Sequence, residues 1–222
     1  MTPPFRDRAE AGRRLAAVLR HYTGTRNLVV LALPRGGVPV AYEVARALPA
    51  PMHLMLVRKL GVPGQEELAM GAIARGGIRV ISEDVVRALD IPEREIAVVA
   101  ANEQHELDRR ERAYGLTGAQ VDVRGKMILL IDDGLATGAS MRAAVAALRA
   151  EPIAGLIVAV PVAAAETCAG LRREVDETIC LHTPDPFLSV GHAYEDFFPV
   201  TDEDVRELLR RAAEEFESAG VR

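Results

Sequence analysis

Continuous runs of apolar residues alternate along the chain with segments in which apolar residues recur every three or four positions. Unbroken apolar runs are typical of parallel strands covered on both faces, and the wider spacing is typical of amphipathic helices. Because such strands and helices alternate, the sequence predicts an α/β fold, a doubly wound parallel sheet flanked by helices. Its strands are predicted at residues 27–33, 53–59, 127–132, 153–160 and 174–181.

Two further segments are predicted to lie outside this sheet. The first is a small β flap with a flexible loop, at about 60–81, in which strand-like runs at 70–74 and 78–81 are joined by a Gly-Gly turn. The second is a hood-like C-terminal segment, 183–222, which ends in a helix predicted at 202–218. We therefore predict a single domain of residues 1–222 with a core at about 27–181. The other helices are predicted at 6–22, 38–48, 92–114, 138–150 and 163–173.

The composition narrows the possible partners and locations of the protein. A formal net charge of -5 argues against nucleic acid as a partner, because proteins that bind the phosphate backbone usually present a basic face. No apolar run approaches membrane-spanning length, so we expect a cytoplasmic protein without a membrane partner. Cys168 and Cys180 lack metal-binding spacing and are predicted to be two buried thiols in a reducing compartment.

One predicted strand runs directly into two acids, Asp132 and Asp133, and then into a loop of small residues that opens a helix. Backbone N–H groups at such a turn, together with the positive end of the helix dipole, bind phosphate. The acids suit sugar hydroxyls or a magnesium ion instead. A solvated strand end, a helix cap or a phospho-acceptor pocket would also explain the acids, and a tight turn would explain the glycines. Together they indicate a ligand that carries both a diol and a phosphate.

Two other predicted strands also end in groups that could bind anions. The turn after residue 33 contains Arg35, Gly36 and Gly37, and the strand at 53–59 ends in Arg58 and Lys59. Taken alone, the first could be an ordinary turn and the second could be surface charges. Carboxyl ends of parallel strands meet at one crevice, so the three features together predict a ligand with phosphates at two ends and a diol between them.

The stretch ILLIDDGLATGASM, residues 128–141, resembles the fingerprint of the type I phosphoribosyltransferases. The resemblance implies phosphoribosyl pyrophosphate (PRPP) as a substrate, with Mg²⁺, and transfer of 5-phosphoribose to a nitrogenous base or related acceptor as pyrophosphate leaves. It also implies a loop at about 61–70 that closes over the site, and we expect a homodimer. By the same resemblance Asp132 and Asp133 hold the ribose hydroxyls and, mainly through these hydroxyls or water, the Mg²⁺.

The resemblance assigns roles to the remaining residues of the predicted site. Lys59, Asp132 and Asp133 would be catalytic. The 5′-phosphate would bind at the small-residue loop, and the pyrophosphate would bind at the glycine turn and the cationic strand end. The phosphate loop is Ala136, Thr137, Gly138, Ala139 and Ser140, and the pyrophosphate residues are Arg35, Gly36, Gly37, Arg58 and Lys59.

The acceptor stays open in the sequence. Enzymes of this family that act on hypoxanthine or guanine typically have an acid where Ala136 stands. The β pair at 70–81 and the helix at 92–114 resemble a subgroup of predicted phosphoribosyltransferases with an unassigned acceptor. Phe187, Tyr194 and Phe197 could stack on an acceptor ring, or they could anchor the C-terminal segment on the core.

Two rival functions stay open. One is a regulator on the same fold that binds PRPP without turnover. The other is a phosphohydrolase or phosphotransfer receiver built on the two acids, which leaves the loop at 136–140 unexplained.

Arg109, Arg110 and Arg112 alternate with acids in the long helix, which favours a salt-bridged solvent face over a role in a dimer contact or in pyrophosphate binding.

Overall fold

Five parallel strands form the central sheet in a computed structural model that describes residues 4–116 and 121–220. The predicted domain of 1–222 also contains residues 1–3, 117–120 and 221–222, which lie outside the described residues. In sheet order the strands are β2 (Met52–Leu54), β1 (Leu28–Ala32), β6 (Met127–Ile131), β7 (Gly155–Val162) and β8 (Glu177–His182). The predicted doubly wound parallel sheet is confirmed.

Helices cover both faces of this sheet. Alternate residues of β1 and β6 point to opposite faces, so Val30 packs with one helical layer and Leu31 with the other. The first layer contains α1 (Arg8–Val18), α2 (Gly37–Ala47) and α7 (Asp202–Ser218), and the second contains α5 (Ala139–Arg149) and α6 (Ala165–Leu171). The remaining helices are α3 (Glu83–Ala88), which was not predicted, α4 (Glu93–Ala113), and short 3₁₀ turns at Leu19–Tyr22 and Gly191–Ala193. In the described part of the chain, no helix has the length and apolar character needed to cross a membrane.

The predicted strand at 53–59 was wrong in extent. The chain leaves the central sheet after β2, and Val57–Val62 forms β3 of a second, antiparallel sheet with β4 (Gln65–Ala74) and β5 (Ile78–Ile81). Arg58 and Lys59 therefore lie on the flap sheet and not at the carboxyl end of a core strand. The apolar run across residues 54–57 is continuous, so its composition shows no break where the chain changes sheets.

Much of the predicted flexible loop at 61–70 is instead a β hairpin. Gly61 pairs with Ala69 next to a register shift, and Gly64 turns the chain with a φ of 75°. A Cβ at Gly61 would lie 2.7 Å from the carbonyl oxygen of Glu66, which explains the glycine by close backbone approach and not by flexibility. The second hairpin, between β4 and β5, is confirmed, and Gly76 and Gly77 adopt the positive φ that its turn needs.

The two cysteines are joined, so the prediction of two separate thiols was wrong. Cys168 lies on α6 and Cys180 on β8, and their Cα atoms are 6.6 Å apart, within the range that a disulfide spans. The pairing depends on how α6 packs against β8, which the spacing of two cysteines in a sequence does not report.

Candidate functional site

The turns after β1 and β6 meet at one edge of the sheet because these parallel strands are neighbours in register, with Ala32 opposite Ile131. The N–H of Leu33 donates to the carbonyl oxygen of Ile131 at 2.9 Å, which ties the two turns together. A Cβ at Gly37 would lie 2.8 Å from the Cα of Asp132. The turn that contains Arg35, Gly36 and Gly37 therefore packs directly against the two acids. The Pro34–Arg35 peptide within it is cis.

Asp132 and Asp133 lie in different electrostatic environments. Burial raises the pKa of Asp132, and the charge of Asp133 raises it further. The carboxylate of Asp133 is paired with a cation, because Nε of Arg8 donates to its Oδ2 at 2.8 Å. The backbone N–H of Asp133 also donates to Oδ1 of Asp132 at 2.8 Å. One acid thus has a raised pKa, while the carboxylate of the other is paired with a guanidinium.

The raised pKa of Asp132 predicts that this carboxylate destabilises the free protein at neutral pH. Stability contributed by the protonated form is present in acid and is lost as the pH rises through the raised pKa of the folded state. We expect Asp132→Asn, which cannot ionise, to raise the free energy of unfolding by about 1 kcal/mol at pH 7. The gain should shrink near the ordinary aspartate pKa of about 3.9. Urea unfolding at both pH values checks this, and a less stable variant at pH 7 would contradict it.

The loop of residues 136–140 is held by hydrogen bonds to its carbonyl oxygens, while several of its side chains are exposed. Oγ1 of Thr167 donates to the carbonyl oxygen of Ala136 at 2.7 Å, and Arg142 donates to that of Thr137 at 2.9 Å. Gly138 caps α5 with a φ of 72°, a conformation that glycine adopts without strain. Ala136, Thr137 and Ser140 are exposed. The carbonyl groups are therefore engaged by protein donors, which leaves the N-terminus of α5 to face an anion.

A cavity of about 540 Å³ opens beside these turns, within the size range of small-molecule sites. Five of the predicted site residues line it: Arg58, Lys59, Asp132, Ala139 and Ser140. Leu33 and Pro34, which directly precede the glycine turn, line it as well. The other predicted site residues are not part of this lining: Arg35, Gly36, Gly37, Asp133, Ala136, Thr137 and Gly138. The structure thus brings Asp132, part of the small-residue loop and the flap cations Arg58 and Lys59 to one cavity, while the glycine turn packs against the acids at the same sheet edge.

The helix α4 forms a wall of this cavity that sequence reasoning missed. Glu103, Leu107 and Arg110 lie on one helical face and line the cavity together with Val99 and Asn102. Nε of Arg58 donates to Oε2 of Glu103 at 2.5 Å, which links the wall to the flap. The predicted ion pairs with Glu106 are present, from Arg109 at 2.7 Å and from Arg110 at 2.9 Å, and Arg110 also lines the cavity. Residues 99, 103, 107 and 110 share one helical face, but α4 is polar on most of its surface, so this spacing alone does not identify the face as a cavity wall.

The three C-terminal aromatic residues form a cluster away from the residues that line the cavity. Tyr194 is buried, and its ring lies 5.1 Å from that of Phe197 and 5.6 Å from that of Phe5. Its hydroxyl donates to the backbone oxygen of Asp133 at 2.6 Å, and burial raises the pKa of this hydroxyl, which keeps it a proton donor. Phe187 packs at the edge of the same cluster. The cluster anchors the C-terminal segment, and an acceptor role for Phe187, Tyr194 and Phe197 stays a prediction.

A parallel sheet with a cavity at its edge, beside two acids and a small-residue loop, defines a doubly wound α/β protein with a candidate ligand site at the carboxyl ends of its strands. The family model for the phosphoribosyl transferase domain matches residues 6–182, and the chain belongs to this family. Two curated relatives from Mycobacterium tuberculosis, strains H37Rv and CDC 1551 / Oshkosh, bear the name "Putative phosphoribosyl transferase" and are each 41% identical to this chain over 217 residues.

These alignments cover 98% of this chain but 49% of each relative, so the chain spans about half the length of the curated relatives that it matches. A solved structure is similar along nearly its whole length. The crystal structure of TT1426 from Thermus thermophilus has 40% sequence identity to this chain and a TM-score of 0.87, over 95% of this chain and 99% of that one.

Proposed function

We propose that the protein is a phosphoribosyltransferase that transfers 5-phosphoribose from PRPP to a nitrogenous base or related acceptor and releases pyrophosphate. The observation that carries this proposal is the meeting of two acids, a small-residue helix N-terminus and a glycine turn at one sheet edge, next to a cavity that Asp132, Ala139 and Ser140 line. A ligand bound there could present a diol to Asp132 and Asp133, and a phosphate to the N-terminus of α5. The family supports the general class of reaction, and the acceptor is left open.

In the proposed reaction the bond from the anomeric carbon to pyrophosphate breaks, a bond from that carbon to an acceptor nitrogen forms, and the nitrogen loses its proton. The protein's contribution is to hold the reacting groups in place and to stabilise charge on the leaving group. Asp132 and Asp133 would accept hydrogen bonds from the ribose hydroxyls. Lys59 and Arg58, on the flap, would face the negative charge that develops on pyrophosphate.

The acidic groups also fit a requirement for Mg²⁺. Within the described ranges, no three His, Cys, Asp or Glu side chains converge as a set of metal ligands. Mg²⁺ is typically held by one or two carboxylates, with substrate phosphates and water as its other ligands. Asp132 and Asp133 supply such a pair, and Mg²⁺ bound with PRPP would neutralise charge on the pyrophosphate. A homodimer and a cytoplasmic location stay predictions.

Arg110 provides a test of the pyrophosphate side of the site. We expect Arg110→Ala to weaken PRPP binding roughly tenfold, since the loss of a hydrogen bond to a charged group costs about this much. Arg109→Ala is the matched control, because Arg109 pairs with the same Glu106 at 2.7 Å but is more exposed and does not line the cavity. Isothermal titration calorimetry measures both affinities. Equal effects of the two variants would remove Arg110 from the site.

A screen of candidate bases for PRPP-dependent pyrophosphate release, with PRPP affinity measured in parallel, tests the function. PRPP binding with turnover of at least one base would support a transferase. PRPP binding without pyrophosphate release from any base would favour the alternative, a regulator that senses PRPP. A protein that neither binds PRPP nor releases pyrophosphate would contradict both.

A further inference from the structure

Arg8 lies outside the segments to which the sequence assigned ligand binding, yet it contacts one of the two acids. Arg8 is the first residue of α1, and the side chains of Arg8 and Asp133 are only 11% and 14% exposed. Nε of Arg8 donates to Oδ2 of Asp133 at 2.8 Å. An ion without a partner is costly to bury, so a guanidinium that is only 11% exposed needs an anionic partner, and Asp133 is that partner. The contact therefore calls for a functional account.

The same guanidinium binds the C-terminal segment. It donates to the backbone oxygen of Phe198 at 2.9 Å and lies 3.9 Å from the ring centroid of Phe197, a geometry typical of a cation–π contact. One side chain thus connects the N-terminal helix, the aromatic cluster and an acid of the candidate site. We call residues 5–8 and 193–198, which surround it, the clasp.

The clasp is held together by backbone hydrogen bonds between its two segments, 5–8 and 193–198. The N–H of Phe5 donates to the backbone oxygen of Ala193 at 3.1 Å, and the N–H of Glu195 donates back to that of Phe5 at 2.9 Å. The N–H of Asp196 donates to the backbone oxygen of Arg6 at 2.8 Å. With the Tyr194 hydroxyl on its backbone oxygen, Asp133 is thus held at two points, its carboxylate by Arg8 and its main chain by Tyr194.

Two features of the site require that this carboxylate be held. Asp132 and Asp133 are adjacent, so their charges repel, and a neighbouring cation offsets this repulsion. Gly36 has no side chain at the point where its Cβ would lie 2.0 Å from Oδ2 of Asp133, so the carboxylate occupies the space next to the glycine turn. A carboxylate that is free to rotate would not present a constant oxygen to a ligand.

We infer that Arg8 is a positioning residue that orients the Asp133 carboxylate for the diol of the donor, and that donor binding thereby depends on the clasp. This inference rests on the proposed function. Arg8 contacts Oδ2, and we assign the other oxygen, Oδ1, to a ligand hydroxyl. Tyr194 then supports the donor site by its hydrogen bond to Asp133, and Phe197 supports it by its contact with Arg8.

The test is a double-mutant cycle on PRPP affinity, measured by calorimetry on the full chain. Arg8→Gln should weaken PRPP binding roughly tenfold in the wild-type background, as expected for loss of a charge-assisted hydrogen bond. In an Asp133→Asn background the same change should alter the affinity by less than about twofold, because Arg8 acts only through Asp133. Arg8→Lys keeps the charge without the Nε geometry, so its PRPP affinity should lie between those of the wild type and Arg8→Gln.

Arg14→Gln is the matched control. Arg14 is on the same helix, lies 4.7 Å from the ring centroid of Phe5 and donates to the backbone oxygen of Pro4, but it does not contact Asp133. It should change the PRPP affinity by less than about twofold. Urea unfolding of the same variants measures how strongly Arg8 and Asp133 are coupled in the free protein.

The possible outcomes separate this inference from the proposed function. If the wild-type protein binds PRPP and Arg8→Gln binds it equally well, the inference is overturned and the function stands. The inference is also overturned if Arg8→Gln weakens binding equally in both backgrounds, or if Arg14→Gln weakens it as much, since either result indicates a general loss of structure. If wild type does not bind PRPP, the proposed function fails and the inference fails with it.

Discussion

We expect Asp133→Asn to weaken PRPP binding by about 100-fold and to lower pyrophosphate release at least as much. The substitution keeps the shape of the side chain but removes the charge that compensates Arg8 and accepts hydrogen bonds from the ligand. A hydrogen bond to a charged group contributes about 1.5–3 kcal/mol, and a partly buried guanidinium left without its carboxylate adds to the loss. Calorimetry with PRPP measures the affinity, and a urea unfolding curve shows whether the variant folds.

Asp122→Asn is the control for this change. Asp122 also accepts a hydrogen bond from an arginine, with Nε of Arg124 2.8 Å from its Oδ1, but the pair is exposed and lies before β6 instead of after it. Exposed ion pairs contribute little, so PRPP binding should not change measurably. If Asp133→Asn bound PRPP as tightly as Asp122→Asn, the two acids would not form the ribose site.

The part of the site that could be predicted from sequence is the part in which chemistry and chain position coincide. Asp132 and Asp133 directly follow a strand, and the small-residue loop directly precedes a helix. Neighbouring parallel strands then bring such turns to one edge, which is a general property of doubly wound sheets. The turn with Gly36 and Gly37 therefore meets the acids, and their convergence needed no knowledge of distant packing.

The contacts that could not be predicted join segments far apart in the chain. Arg8 and Asp133 are 125 positions apart, and Tyr194 reaches Asp133 across 61. Arg110 lies on a helix that is polar on most of its surface, so its pattern alone does not show that one face borders a cavity. The flap raises a similar problem, since residues 54–57 are apolar throughout although the chain leaves β2 and enters β3 of a different sheet within this run.

We expect Gly36→Ala to abolish PRPP binding with only a small loss of stability. Gly36 has a φ of -59° and a ψ of -35°, an ordinary helical backbone that alanine adopts readily, so the reason for glycine is space. The added Cβ would lie 2.0 Å from Oδ2 and 2.5 Å from Cγ of Asp133. The carboxylate can rotate away from the added Cβ, which limits the cost in stability to about 1 kcal/mol, but it is then displaced from the position in which we propose that it meets the ligand.

Gly37→Ala should show the reverse balance, because its added Cβ would lie 2.8 Å from the carbonyl oxygen of Ile131 and from the Cα of Asp132. Backbone atoms cannot rotate away, so we expect the free energy of unfolding to fall by about 3 kcal/mol, the upper part of the range for overpacking.

Gly24→Ala is the control, since its Cβ would meet nothing within 4 Å and its φ of 76° alone costs about 1–2 kcal/mol. Urea unfolding and PRPP calorimetry on the three variants separate space at the acids from general backbone strain. If Gly36→Ala kept wild-type PRPP affinity, the carboxylate of Asp133 could not be held against the glycine turn when PRPP binds.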